Sequence, residues 1–335
     1  MLLGFDSKEV RVCIAGMGKM GGYHLHALEQ LMAGQYEPYY KGDVEKQLSK
    51  IRIAGVCDVD EEHLASFPQY DHYVDYAKML DDSKPDIIVI AVPTKLHFEF
   101  VAAALKKGIH VLVEKPLVTR KAEMDELVRL AKENGCKLIS GHVERYNPVA
   151  IKIVSMIRER QVNPQSYSFR RTQKHHERIP DDIIVDKVVH DLDLARYFFG
   201  PVKGVNVERS RRFEGQVYEA QINVEHQSGV QGELFVSWLV EADAKERTVR
   251  IECEDCEVRG DFKEKKLRVD GKEVDCEVPG WITPSNNQIK DELVDFIMYC
   301  SESTEQARLV EPLLSLGEVE ESISLIEQIA RSVNA

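Results

Sequence analysis

Asp186 and His190 stand four residues apart, a spacing that places both side chains on one face of a helix. An imidazole accepts and returns a proton near neutral pH, and a neighbouring carboxylate can orient the ring and support its charge. The same residues also read as an acid-rich helix start with a histidine satisfied in place, and spacing alone does not separate the two. Lys115 stands near the end of a second candidate segment, Val111-Leu112-Val113-Glu114-Lys115-Pro116. If the apolar run is a strand of a parallel sheet, its C-terminal end is where ligands bind, and the ammonium is aimed at one. Pro116 fixes the chain at that point; the competing reading is an ordinary surface lysine. A third segment, Gly16-Met17-Gly18-Lys19-Met20-Gly21, has GxGxxG spacing directly after the apolar run Val10–Ala15 and opens a helical pattern. In that context Gly16 permits a tight turn, Gly18 lets the backbone approach a pyrophosphate, and Gly21 lets the helix pack close to the strand. The helix N-terminus then meets the phosphate charge.

Asp58 closes the next apolar run, Ile51–Cys57. A carboxylate there accepts from ribose hydroxyls and repels a 2′-phosphate, and Val59-Asp60-Glu61-Glu62 offers no cation to welcome one, which favours NAD over NADP. About 20 residues normally separate the glycines from this acid; here Asp58 lies 37 beyond Gly21, so Gly34–Lys50 reads as an insertion. The alternative is that Asp58 is only a strand-end turn residue.

These residues need a frame to hold them. Further apolar runs at Asp86–Val92, His110–Val113 and Lys137–Ser140, with a short one near His72–Val74, alternate with helical patterns. Near-continuous apolar strands are buried on both faces, as in a parallel sheet covered by helices. The clearest helix is Thr119–Asn134, with Thr119 as candidate cap and Gly135 as left-handed stop. The predicted class is α/β: a doubly wound Rossmann domain over 1–148, then an α+β domain over 149–335 with a large, mostly antiparallel open sheet. Asn147-Pro148 marks the change, and a helix over Pro148–Arg160 opens the second half. Strands follow at Ser166–Thr172, Val202–Arg209, Tyr218–His226, Gly232–Val240 and Thr248–Glu252, interrupted by a helix over Asp186–Phe199. Helices over Ser285–Cys300 and Pro312–Val333 close the chain.

Composition limits the partners. With 335 residues, 44 basic against 57 acidic, the chain carries a net charge of −13, which argues against nucleic-acid binding. No apolar run approaches a membrane span and the first residues lack a basic, apolar leader, so a soluble cytoplasmic protein is expected. Seven scattered cysteines fit reduced thiols. Cys253-Glu254-Asp255-Cys256 has metal-knuckle spacing, yet with Cys276 only three thiols are available, so it reads as a turn and no metal is expected.

Four pieces together, AGMGKMG, AVPTKLHFE, EKP and DKVVHDLD, resemble the glucose–fructose oxidoreductase/inositol dehydrogenase (Gfo/Idh/MocA) family over nearly the whole chain. The resemblance implies that Lys115, Asp186 and His190 line a substrate pocket beside a nicotinamide. It further implies that Val92, Pro93, Thr94, His97 and Glu114 serve the cofactor. By the same resemblance the open sheet forms a subunit interface in a homo-oligomer, dimer or tetramer. Many relatives have glycine where this chain has Val188, which bears on local packing. GHVERYNP (Gly141–Pro148) with Arg170-Arg171 is similar to a branch described as UDP-N-acetylglucosamine 3-dehydrogenases, which puts Arg145, Asn147 and Arg171 at the substrate, a sugar or sugar nucleotide. FRRTQKHHERIP (Phe169–Pro180) is a basic island whose arginines could hold a diphosphate; solvated surface charge is the plainer account. The expected activity is hydride transfer at a hydroxyl-bearing ring carbon. A glycosidase using transient oxidation and a non-catalytic NAD-binding regulator are the rivals.

Overall fold

Runs of Ile, Val and Leu at the positions just named form a six-stranded parallel sheet. Its strands are β1 (Val10–Ala15), β2 (Ile51–Cys57), β3 (His72–Tyr73), β4 (Ile87–Ile90), β5 (His110–Glu114) and β6 (Leu138–Gly141), in spatial order β3-β2-β1-β4-β5-β6. That is the doubly wound order, and its direction reverses between β1 and β4, where such sheets bind ligands. The computed structural model describes residues 9–35, 43–175, 182–277, 287–301 and 315–334. All four residues of β4 are buried, as a strand covered on both faces requires. The covering helices are α1 (Lys19–Met32), α2 (Asp43–Leu48), α3 (Glu61–Leu64), α4 (Tyr76–Ser83), α5 (His97–Lys106) and α6 (Lys121–Glu133). α6 ends at Gly135, whose φ of +64° is the left-handed stop expected; at its start Arg120, not Thr119, is the cap residue and no side chain caps it. Part of the expected insertion, 36–42, lies outside the described residues, and α2 occupies 43–48 of the remainder.

The domain division differs from expectation. The first unit takes the described residues of 9–143 and also of 287–320, and the second takes 144–286 and 321–334. The added piece includes α9 (Gln288–Cys300), buried along most of its length. Asn287 caps α9 at the Lys290 N–H (3.2 Å) and donates to Gln30 of α1 (3.3 Å), while the Lys290 ammonium donates to the Gln35 carbonyl (3.1 Å). A helix so apolar must join a core, and α1 supplies it.

In the second unit α7 (Pro148–Arg158), β7 (Pro164–Thr172), a π turn (Ile184–Val188) and α8 (Val189–Phe199) precede β8 (Val202–Phe213), β9 (Gln216–His226), β10 (Gln231–Ser237), β11 (Glu246–Cys253), β12 (Glu257–Asp261), β13 (Lys266–Val269) and β14 (Lys272–Val274). The eight strands run β14-β13-β12-β11-β7-β10-β9-β8, antiparallel except for the parallel pair β7 and β10. Alternation sorts the residues: Tyr167, Phe169, Ile222, Val224, Leu234, Val236, Val249 and Ile251 join the core against α7, α8 and the end of α10 (Leu316–Asn334). The opposite face carries Arg170, paired with Glu246 at 3.3 Å, and Arg250, bonded to Glu257 at 2.5 Å. Cys253 and Cys256 flank the β11–β12 turn, where the Cys253 N–H donates to the Cys256 carbonyl (2.9 Å); burial pushes the Cys253 thiol up to about 12. Among the described residues no cluster of three or more His, Cys, Asp or Glu could hold a metal, and no helix is long and apolar enough to cross a membrane.

Candidate functional site

The glycine turn sits at the end of β1. Gly16 has φ +88°, a conformation other residues rarely adopt, and a Cβ there would lie 2.5 Å from the Ala91 carbonyl oxygen. Gly18 precedes α1, which has no side-chain cap, and a Cβ on Gly18 would meet nothing within 4 Å. The end of β2 grips this turn. Asp58 accepts from the Met17 N–H through one carboxylate oxygen (2.6 Å) and from the Asp60 N–H through the other (3.0 Å). Asp60 caps α3 at the His63 N–H (2.9 Å), and the His63 ring returns to the Met17 carbonyl (2.8 Å). His63 is a participant that the sequence reading missed.

At the end of β5, Lys115 is half-buried, and its bond to Pro116 is cis. The preceding Glu114 turns inward to His24 of α1, at 2.8 Å. Burial works to raise the Glu114 carboxyl, but the His24 hydrogen bond and the nearby charges of His24 and Lys115 outweigh it and leave it below its ordinary value. Glu292 of α9 is buried against the same place: its carboxyl oxygen would lie 3.5 Å from a Cβ on Gly141, and it accepts the His142 backbone N–H. Burial, then the charges of Glu114 and Asp295, push Glu292 well above its ordinary 4.5. In the unfolded chain Glu292 ionises above pH 4.5, while the folded protein keeps the proton to much higher pH. Its contribution to stability is therefore complete below 4.5 and is lost as pH rises. Glu292→Gln keeps the acceptor and cannot ionise. Thermal melts should show it matching the wild type below pH 4.5 and exceeding it at pH 8, with the gap widening as pH rises. A gap that stays constant with pH would contradict a protonated Glu292.

In the second unit, Asp186 lies in the π turn and His190 in the first turn of α8; both are half-buried. The Lys187 ammonium lies 3.1 Å from the Asp186 carboxylate. Beneath them is a set of buried ion pairs. Arg171 of β7 binds Asp191 through Nε (2.8 Å) and Glu144 through Nη1 (3.1 Å), and Arg247 of β11 shares Glu144 at 3.0 Å. Arg145 holds both oxygens of Asp193, at 2.8 and 2.7 Å, with its guanidinium 4.7 Å above the Tyr197 ring.

Comparison with known proteins fits this geometry. Residues 10–142 match the family described as "Oxidoreductase family, NAD-binding Rossmann fold", and residues 152–259 match the Gfo/Idh/MocA C-terminal domain. The chain belongs to the Gfo/Idh/MocA family. Among its relatives is UDP-N-acetylglucosamine 3-dehydrogenase of Acidithiobacillus ferrooxidans, 26% identical over 202 residues, which are 57% of this chain and 55% of that protein. Inositol 2-dehydrogenase 2 of Saccharopolyspora erythraea is 25% identical over 199 residues, 57% and 54% of the two chains. The chain thus spans little more than half the length of these two relatives in the matches. Solved structures share the fold along nearly the whole chain. The Acidithiobacillus enzyme superposes with TM-score 0.76 at 20% identity, covering 97% of this chain and 98% of that one. A levoglucosan dehydrogenase in complex with NADH gives TM-score 0.80 at 17% identity, covering 97% of each chain.

The Gfo/Idh/MocA cofactor fits the first unit. The open space before Gly18, the uncapped start of α1 and the Asp58 carboxylate suit a pyrophosphate and an adenosine ribose. Met17, Lys19, Met20 and Gly21 belong to this turn, and Val92, Pro93 and Thr94 follow β4, at the switch point. Two expected cofactor residues face inward instead. His97 is 1% exposed, with one ring nitrogen 2.9 Å from the Val92 carbonyl and the other 2.9 Å from that of Pro116, so it ties the β4 end to the β5 end. Glu114 is committed to His24. Three expected substrate residues are corrected likewise. Arg145 and Asn147, each 1% exposed, and Arg171, at 4%, meet internal partners; Asn147 caps α7 and donates to the Phe262 carbonyl (2.9 Å). A buried carboxylate without its cation is costly, and these arginines pair with Asp191, Asp193 and Glu144. The basic island also divides, because alternation along β7 points Arg170 and Arg171 to opposite faces; His176 to Pro180 lie outside the described residues.

Proposed function

We propose that this protein is an NAD-dependent dehydrogenase that oxidises a hydroxyl-bearing ring carbon of a sugar, sugar nucleotide or cyclitol. The carrying observation is that a chain of this family keeps Lys115 at the end of β5 and keeps Asp186 and His190 one turn apart, all three half-buried and therefore within reach of solvent. Bound NAD would supply the hydride acceptor at its nicotinamide. His190 takes the hydroxyl proton, Asp186 orients the ring and stabilises its charge, and Lys115 stabilises the alkoxide as it develops. The Lys187 ammonium pairs with the Asp186 carboxylate beside the ring it is proposed to orient.

The names of the relatives, together with the GHVERYNP segment, support UDP-N-acetylglucosamine oxidised at C3 as the first substrate to try. One face of the eight-stranded sheet carries the core and the other carries paired charges, which supports a homo-oligomer built through the open sheet. Seven free cysteines support a cytoplasmic setting.

The test is a screen of UDP-sugars, free sugars and inositols with NAD and with NADP, following the absorbance of reduced cofactor. Net reduction is expected with at least one ring polyol, faster with NAD because Asp58 disfavours a 2′-phosphate. No reduction with any of them, or release of a glycoside leaving group without net reduction, would overturn the dehydrogenase reading.

A further inference from the structure

The turn that carries Asp186 departs from α-helical geometry after the Asp186 N–H, which still bonds the carbonyl four residues back. Ile184–Val188 forms a π turn and α8 begins at Val189. A π turn closes i→i+5 bonds, holds one residue more than an α turn, and recurs at functional sites because it is rarely the most stable arrangement. If it relaxed to α geometry, the residues ahead of it would rotate against those behind by about 100°. The Asp186 carboxylate and the His190 ring would then no longer keep their relative setting.

Two side-chain anchors bracket this turn. Upstream, the Asp182 carboxylate accepts the Ile184 N–H (3.0 Å) and, through its other oxygen, the Val217 N–H at the start of β9 (2.9 Å); its carbonyl accepts the Asp186 N–H (2.9 Å). Downstream, Asp191, the residue after His190, is held by Arg171 through Nε and Nη2, both at 2.8 Å. Arg171 is itself fixed by Glu144, which Arg247 also binds, so the anchor reaches into two strands of the sheet. Arg145 repeats the arrangement two residues later at Asp193.

We propose that Asp182 and Arg171 are positioning residues that trap the extra residue of the π turn and so fix Asp186 relative to His190. The proposal rests on the catalytic reading of that pair. It assigns the buried ion pairs a function beyond holding the core: a buried pair adds little net stability over apolar packing, but its direction is specific, which suits it to fixing a helix in rotation.

Arg171→Met combined with Asp191→Asn removes both partners, leaves no buried ion alone, and keeps the Glu144–Arg247 pair. Asp182→Ala attacks the turn from the other side and does not touch the buried pairs, so it serves if the double variant fails to fold. Hydrogen exchange is read at the amides of 184–190 and of 192–199. Both variants should exchange at least about tenfold faster over 184–190, with 192–199 within about threefold of wild type. With the polyol found in the screen, kcat should fall at least about tenfold while KM for NAD stays within about twofold. A folded variant with wild-type exchange and wild-type kcat would overturn the proposal and leave the pair a packing feature. If the catalytic reading itself is wrong, His190→Ala keeps full turnover, and the exchange measurement then decides the anchoring alone.

Discussion

Turnover by Lys115→Met and by His190→Ala is expected to fall by at least about 10²–10³-fold, with NAD affinity changed less than about twofold. The reasoning starts from what each atom does. Methionine keeps the length and apolar character of the lysine stem but removes the charge proposed to stabilise the alkoxide. Alanine removes the only group proposed to take the hydroxyl proton. Neither change touches the glycine turn or Asp58, the proposed seat of the dinucleotide. Steady-state rates with the best polyol, alongside NAD titration by fluorescence quenching, separate the two effects. Parallel losses of affinity and rate would mean that the residues bind cofactor and nothing more. Wild-type rates in both variants would remove the catalytic assignment.

Gly21→Ala is expected to abolish measurable NAD binding, although it adds one methyl group. A Cβ at Gly21 would lie 1.8 Å from the Gly16 carbonyl oxygen and 2.9 Å from its carbon, both backbone atoms that no rotamer change can move aside. Helix α1 would have to lift off β1, carrying its first N–H groups away from where they meet a pyrophosphate. Gly22 is the control. It is the next residue of the same helix, and a Cβ there meets nothing within 4 Å. Gly22→Ala should therefore bind NAD normally and melt slightly higher, by roughly 0.5–1 kcal/mol. Isothermal titration and thermal melts of the two alanine variants make the comparison. Equal NAD affinity in both would refute the close-packing role of Gly21.

Much of the architecture was readable because its signals are local. Ile87–Ile90 and Val10–Ala15 are apolar enough that only a strand covered on both faces suits them, and the glycines between β1 and α1 have one economical use. What escaped the reading depends on partners distant in the chain. Nothing near Gln288 says which core will accept the apolar side of α9; that depends on α1, more than 250 residues earlier. Arg145 and Arg171 look like ligand residues by type, and only the fold shows that Asp193 and Asp191 claim them. A hint was present in His190-Asp191-Leu192-Asp193-Leu194, where two acids alternate with buried leucines and so need cations inside the protein. His24 had a similar hint: it shares a helical face with Leu28 and Leu31, so a buried partner was required, and it is Glu114. The π turn had none, since a pattern with period 3.6 cannot report a single extra residue.

Because the Rossmann unit borrows α9 from beyond residue 286, its core stays open until the chain has been made past residue 300. While the ribosome is still adding the eight-stranded sheet, the surface of α1 that α9 will cover is left to water or to a chaperone. Excising the first 148 residues as a minimal NAD module would leave that surface bare for good. A helix that follows the eight-stranded sheet in sequence thus completes a unit begun before it.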